Sequence, residues 1–256
     1  EGGQLFAATR ESFKDLEVAV RRLHAFRVEE PANLSCSPSF AILWLTLRLG
    51  SLYRAHPHMV LRIVGESDRV DPTRMAREGT AAAVRFEPLE REHLKAVHLL
   101  DEWLVPVAAP TFMQENPKLR KAGALLGKHL LHASDLWEGG EPTEEWMQWL
   151  TATGVDMTVS ALRQGTQFNL SLLAVQAALG GQGIAMGRIA LVLGYLLQGR
   201  LVVPYSQRVL SKGSYRFIGN QSHPEMPTIL NWLIDEATRF RQQRDAFFES
   251  SDVTIA

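Results

Sequence analysis

The stretch NLSCSPSFAILWLTLRLGSLYRAHPHMVLRIV, residues 33–64, reads as strand, helix and strand in immediate succession. NLSC alternates in polarity, Ser37 stands before a proline, and Pro38 takes the first helical position, where a missing N–H costs no hydrogen bond. Pro57 in AHP ends the helix, and MVLRIV then places Met59, Leu61 and Ile63 on one face of a second strand. A strand that feeds a helix and then a parallel strand is the repeating unit of an α/β fold. The same residues raise a functional question. Ser-Pro-Ser leaves the Ser39 hydroxyl and the first-turn N–H groups at the C-terminal edge of a parallel sheet, where open α/β folds place ligands. Ordinary capping accounts for the residues equally well.

Outward from this unit the pattern repeats. Asp71-Pro72 starts a second, short helix by the same device, and AAAVRF and WLVPVAA read as buried strands. Pro110 to Asn116 predicts a short helix, HLLHA a strand, and PTEEWMQWLTATG a helix with Pro142 near its start and Gly154 at its stop. MTVSAL then reads as a strand. TQFNLSLLAVQAALGG reads as a helix beginning at Thr166, with Phe168, Leu172, Val175 and Leu179 on one face. A strand over GIAMG, a helix over IALVLGYLLQG, and strands over LVVPY and SYRFIG follow. A terminal helix carries Leu230, Leu233, Ile234, Ala237 and Phe240 as its inner stripe. The count suits two α/β lobes of about 100 residues each. Ahead of them, Phe6, Phe13, Leu16, Val20, Leu23 and Phe26 mark an amphipathic helix, suited either to pairing with a second copy or to packing on its own domain.

Composition narrows the function. Of 256 residues, 46% are hydrophobic and 21% charged, as in ordinary soluble globular proteins. The formal net charge of -1 supplies no field toward nucleic acid or anionic lipid. The one cysteine, Cys36, excludes an intrachain disulfide framework and fits a reducing, cytoplasmic compartment. No run approaches the roughly 18 apolar residues of a membrane span, so no membrane partner is expected. The first residues lack the layout of a secretory signal.

Few residues argue for chemistry. GGQGIAMG is glycine-rich, but a phosphate loop needs a strand feeding a helix, and here a helix feeds a strand. His56 with His58, and His129 with His132, lack a nearby third ligand, so no metal is implied. Neither a Gly-x-Ser-x-Gly elbow nor a cysteine signature is present, and no cofactor or enzymatic activity is indicated. What remains is a pair of helix starts, Ser-Pro-Ser and Thr166. If they face each other across a cleft, they suit a small anion or polar metabolite.

SPSFAILWLTLRLGSLYRAHPHMVLRI, VDPTRMAREGTAAAVRF, DEWLVPVAAPTFMQENPKL, WMQWLTATG, AALGGQGIAMGRIALVLGYLLQGRLVVPY and ILNWLIDEA, in this order, resemble the effector-binding domain of LysR-type transcriptional regulators. Within the family the branch of the glycine-cleavage and β-lactamase regulators is nearest. The resemblance spans about residues 32 to 240. It implies two Rossmann-like lobes, like those of periplasmic binding proteins, joined by two crossover strands and preceded by a linker helix. The regions implied are 1–30 for the dimerising linker helix, 31–109 with 214–250 for one lobe, and 110–213 for the other. The family's winged helix-turn-helix is not in this sequence.

By the same resemblance a small-molecule effector lies between the lobes. It would be touched by Ser37, Ser39 and Phe40, by Arg85 and Phe86, by Ala109, and by Thr166, Gln167 and Phe168. Trp137 and Tyr215 are further candidates, for which core packing is an equal alternative. Asp71 is expected to act as a helix cap. The family's PRL is LRL at Leu47 to Leu49. Thr80 and Glu87 replace an acidic residue and a glycine, and a carboxylate at 87 opposes an anionic effector. The expected role is ligand sensing and oligomerisation, as a homodimer or homotetramer, with DNA reached through the missing N-terminal domain. The rival readings are a transport-associated solute-binding protein with the same clamp and an enzyme using the cleft.

Overall fold

The computed structural model describes residues 31–88, 96–134 and 140–256. The linker helix expected over 1–30 and the site candidate Trp137 lie outside the described residues.

The chain folds as α/β around one curled, mixed sheet. Strands β1 (Ala32–Cys36), β2 (Leu61–Gly65) and β3 (Thr80–Pro88) are mutually parallel in the order β2-β1-β3. Strands β5 (Leu130–Ala133), β6 (Thr166–Phe168) and β7 (Ile184–Arg188) form a second parallel set in the order β7-β5-β6. Two long strands, β4 (Ala96–Val107) and β8 (Gln207–Gly219), run antiparallel between the sets. The whole order is β2-β1-β3-β8-β4-β7-β5-β6, and β9 (Thr254–Ile255) adds to the start of β8. Between Asp101 and Leu104, β4 passes through a bulge and acquires β7 as its second neighbour. This joins the two halves through continuous backbone, the architecture expected of two lobes with crossover strands.

The helices fill both halves. The helical run 38–55, α1, opens with Pro38–Phe40, widens to a π-turn over Ala41–Leu45, tightens over Thr46–Arg48, and ends as Leu49–Ala55. Thr46 Oγ1 donates to the Ile42 carbonyl at 3.0 Å inside this irregular stretch, a back-bond that loosens a helix. The remaining helices are α2 (Pro72–Arg77), α3 (Pro110–Glu115), α4 (Glu144–Thr153), α5 (Val159–Leu162), α6 (Ser171–Leu179), α7 (Ile189–Leu197) and α8 (Met226–Ser250). Asp71 caps α2 by accepting from Thr73 N at 2.8 Å, as the Asp-Pro pair predicts. The larger core joins Phe40 and Trp44 of α1, Phe86 of β3, Val175 of α6, Val192 of α7 and Leu233 of α8, so both halves share it.

Four expectations need correction. MTVSAL holds no strand: Thr158 Oγ1 accepts from Ala161 N at 3.2 Å and starts α5 instead, local capping prevailing over β-branched propensity. The strand comes later, so Thr166 lies in β6, and the following helix begins only at Ser171. LVVPY contributes one bridge, Val202 to Ala108; Pro204 has no N–H to continue a ladder. In α8 the expected stripe holds at Leu233, Ala237 and Phe240 but not at Ile234, which is 38% exposed, and it extends to Ile229, Trp232 and Glu236, which are buried.

Candidate functional site

In a parallel set, the C-terminal strand ends and the helix starts that follow them share one edge of the sheet. Here β1 leads into α1, β6 into α6 and β7 into α7, and the start of α1 packs against both α6 and α7. The first-turn N–H groups of each lack intrahelical acceptors. At α1, Ser37 occupies the cap position in extended geometry, with Pro38 next to it, and makes no side-chain cap hydrogen bond. Ser39 is the residue that caps, across the gap: its Oγ accepts from Leu172 N in the first turn of α6 at 3.0 Å. The α6 cap position is Leu170, whose side chain has no acceptor to offer.

Behind Ser39 lies an aromatic column. Phe40 stacks on Trp44 with centroids 4.8 Å apart and on Tyr215 at 4.5 Å; Tyr215 reaches Phe86 at 5.1 Å. The Arg188 guanidinium sits 4.0 Å from the centre of the Phe86 ring, a cation–π contact, and its Nε donates to Glu145 Oε1 at 2.7 Å. Arg188 and Glu145 are both buried. Beside them Glu102, on the β4 bulge, accepts from its neighbour Trp103 N at 2.9 Å and from Ala190 N in the first turn of α7 at 3.1 Å, both through Oε1. Its Oε2 has no hydrogen-bond partner among the described residues. Complete burial pushes the Glu102 carboxyl up to about 8, against the two N–H donors and Arg188, which favour the charged form.

The structure gathers Ser39, Phe40, Phe86 and Tyr215 at this junction and leaves Ser37 half-buried at its lip. Arg85 is turned the other way. Alternation along β3 sends Phe86 toward Tyr215 and Arg85 toward α2. There the Arg85 guanidinium donates to Ser35 Oγ at 2.7 Å, the Asp68 carbonyl at 3.0 Å and Glu66 at 3.3 Å. It lines a separate shallow recess with Ser35, Glu66, Arg69 and Arg74. Ala109 is the buried cap of α3. Thr166 and Gln167 are exposed on β6, and the Phe168 carbonyl accepts from Ser134 N at 2.8 Å.

Sequence reasoning passed over Glu102 and Arg188. Both did carry a signal, since each interrupts or borders an apolar run. Arg188 and Glu145 are 43 residues apart, however, and only the fold pairs them. Among the described residues no cluster of three metal-ligating side chains occurs, and no helix is long and apolar enough to cross a membrane.

The profile of the LysR substrate binding domain matches residues 27–241. The chain is 27% identical over 239 residues to the HTH-type transcriptional regulator DsdC of Escherichia coli (strain K12), covering 92% of this chain and 75% of that protein. It is 29% identical over 244 residues to the HTH-type transcriptional activator AmpR of Rhodobacter capsulatus, covering 93% of this chain and 77% of the relative. The effector domain of the transcriptional regulator AmpR of Pseudomonas aeruginosa superposes with a TM-score of 0.68 at 25% identity, over 84% of this chain and 98% of that one. These relatives are transcriptional regulators, and the fold is the periplasmic-binding-protein-like one of their effector domains. With a match over most of its length, the chain belongs to the LysR substrate-binding domain family, as an effector-binding domain of a LysR-type transcription regulator.

Proposed function

We propose that a small polar molecule binds where the N-termini of α1, α6 and α7 meet, between a lobe of residues 31–109 with 214–250 and a lobe of 110–213. Ser39, Phe40, Phe86, Tyr215 and the start of α6 form its surroundings, with Ser37 at the entrance. The observation that carries this reading is the Ser39–Leu172 hydrogen bond of 3.0 Å, in which one half of the molecule caps a helix of the other. A ligand acceptor competing for that N–H prefers one relative orientation of the halves. Its differential affinity then shifts the population of dimer or tetramer arrangements. In the regulator, that shift resets the spacing of the DNA-binding segments, in the cytoplasm.

Differential scanning fluorimetry against a broad metabolite set tests the site. A true effector raises the melting temperature of this chain by several degrees, since a ligand at 100 times its Kd contributes about 2.7 kcal/mol. The shift is reduced in Ser39→Ala and Phe86→Ala and kept in Arg85→Lys. Hits indifferent to Ser39 and Phe86 would put the ligand elsewhere.

A further inference from the structure

We propose that Glu102 is a ligand-recognition residue of the interlobe site, and that the effector carries an ammonium or similar N–H cation which its Oε2 takes. The inference rests on the reading of the interlobe junction as the effector site and adds the chemistry of one end of the ligand.

Three observations converge on it. Glu102 is 0% exposed, and its two oxygens are used unequally: Oε1 holds the Trp103 and Ala190 N–H groups, and Oε2 holds nothing. A buried carboxyl oxygen without a hydrogen-bond partner is costly, and the cost is met when a cationic donor arrives and the carboxyl gives up its proton. The nearby cation of the protein is already engaged, because Arg188 donates to Glu145 and lies over Phe86. Phe40, Phe86 and Tyr215 form a contiguous aromatic column beside Arg188, which lies over Phe86. Glu102 also stands on the β4 bulge, where that strand acquires its second neighbour, and caps α7. A charge drawn to Glu102 therefore acts at the joint between the halves.

Binding by this route displaces a proton. With its carboxyl held near 8, Glu102 is mostly protonated at neutral pH. The proton leaves for buffer as the cation arrives, and no other bond changes.

The experiment uses the whole 256-residue chain with the common amino acids in both enantiomers, each beside its des-amino carboxylic acid at equal concentration. Scanning fluorimetry selects binders. Isothermal titration at pH 7 in two buffers of different ionisation enthalpy then counts protons. The expected result is stabilisation by at least one amino-bearing probe and none by its des-amino partner, with release of about one proton per ligand. Glu102→Gln lowers that affinity at least tenfold and abolishes the proton release, while its own melting curve shows a folded protein. An amino-bearing binder that Glu102→Gln holds equally well overturns the assignment, as does failure of every amino-bearing probe to bind. If des-amino acids bind, lose affinity in Ser39→Ala and ignore Glu102→Gln, the interlobe site stands and the Glu102 assignment falls. If binders ignore both changes, the site reading itself falls.

Discussion

At the scale of single residues, burial decides which polar groups carry consequences. Glu102 shows this most directly, because its folded carboxyl titrates near 8 instead of its ordinary value of 4.5. Between those values the folded state keeps a proton that the unfolded chain has lost. Stability therefore falls as pH rises through the window and levels off above it. The expected slope attributable to Glu102 is at most about 1.4 kcal/mol per pH unit. Urea denaturation of the wild type and of Glu102→Gln between about pH 5 and pH 9 measures it. The variant loses less stability across the window, and parallel curves would show that the carboxyl titrates normally. The residue scale was partly legible in the sequence. Ser39 was visible as a residue at a helix start, yet its acceptor role lies on Leu172, 133 positions away. Arg85 and Phe86 were adjacent candidates, and strand alternation was enough to say that they point apart.

At the scale of elements, local chemistry and tertiary demand compete. Gly154 ends α4 in the left-handed region with φ of 69°, and its N–H bonds back to the Leu150 and Thr151 carbonyls. The sequence marked this stop, because a helix that ends in that conformation favours glycine. Gly154→Ala is expected to cost about 1 kcal/mol, as judged by the urea midpoint, with the packing of Trp146 and Trp149 unchanged in near-ultraviolet dichroism. An unchanged midpoint would mean that the turn relaxes freely. Thr158 shows the opposite case. MTVSAL has the composition of a strand, but a side-chain cap at Thr158 and the position of Gly165 select a short helix and defer the strand to β6. A Cβ at Gly165 would lie 2.3 Å from the Leu130 carbonyl, so the chain passes β5 there only as glycine. In α8 the expected stripe is widened by Trp232, which is buried and whose Nε1 donates to Ser51 on α1 at 2.9 Å.

At the scale of the whole molecule, the larger core joins residues of both halves. Cys36, at the end of β1 and 0% exposed, reports on this. Burial pushes its thiol up to about 12, outweighing the nearby Arg85, which acts in the opposite direction. Reaction with a thiol reagent at neutral pH is therefore expected only through opening of the β1 region, at a rate that falls when a stabilising effector is present. Fast labelling in the native protein would show that β1 opens independently of the rest.

The sequence by itself determined the α/β class, the order of the strands that flank proline-started helices, the Asp71 cap and the Gly154 stop. Each of these rests on interactions within a few residues, where capping, periodicity and allowed backbone angles act. Only the tertiary structure decided that Ser39 caps a helix of the other half, that Arg188 pairs with Glu145, and that Glu102 keeps an oxygen in reserve at the joint. Those facts depend on which distant strands become neighbours, and that is set by burial summed over the whole core.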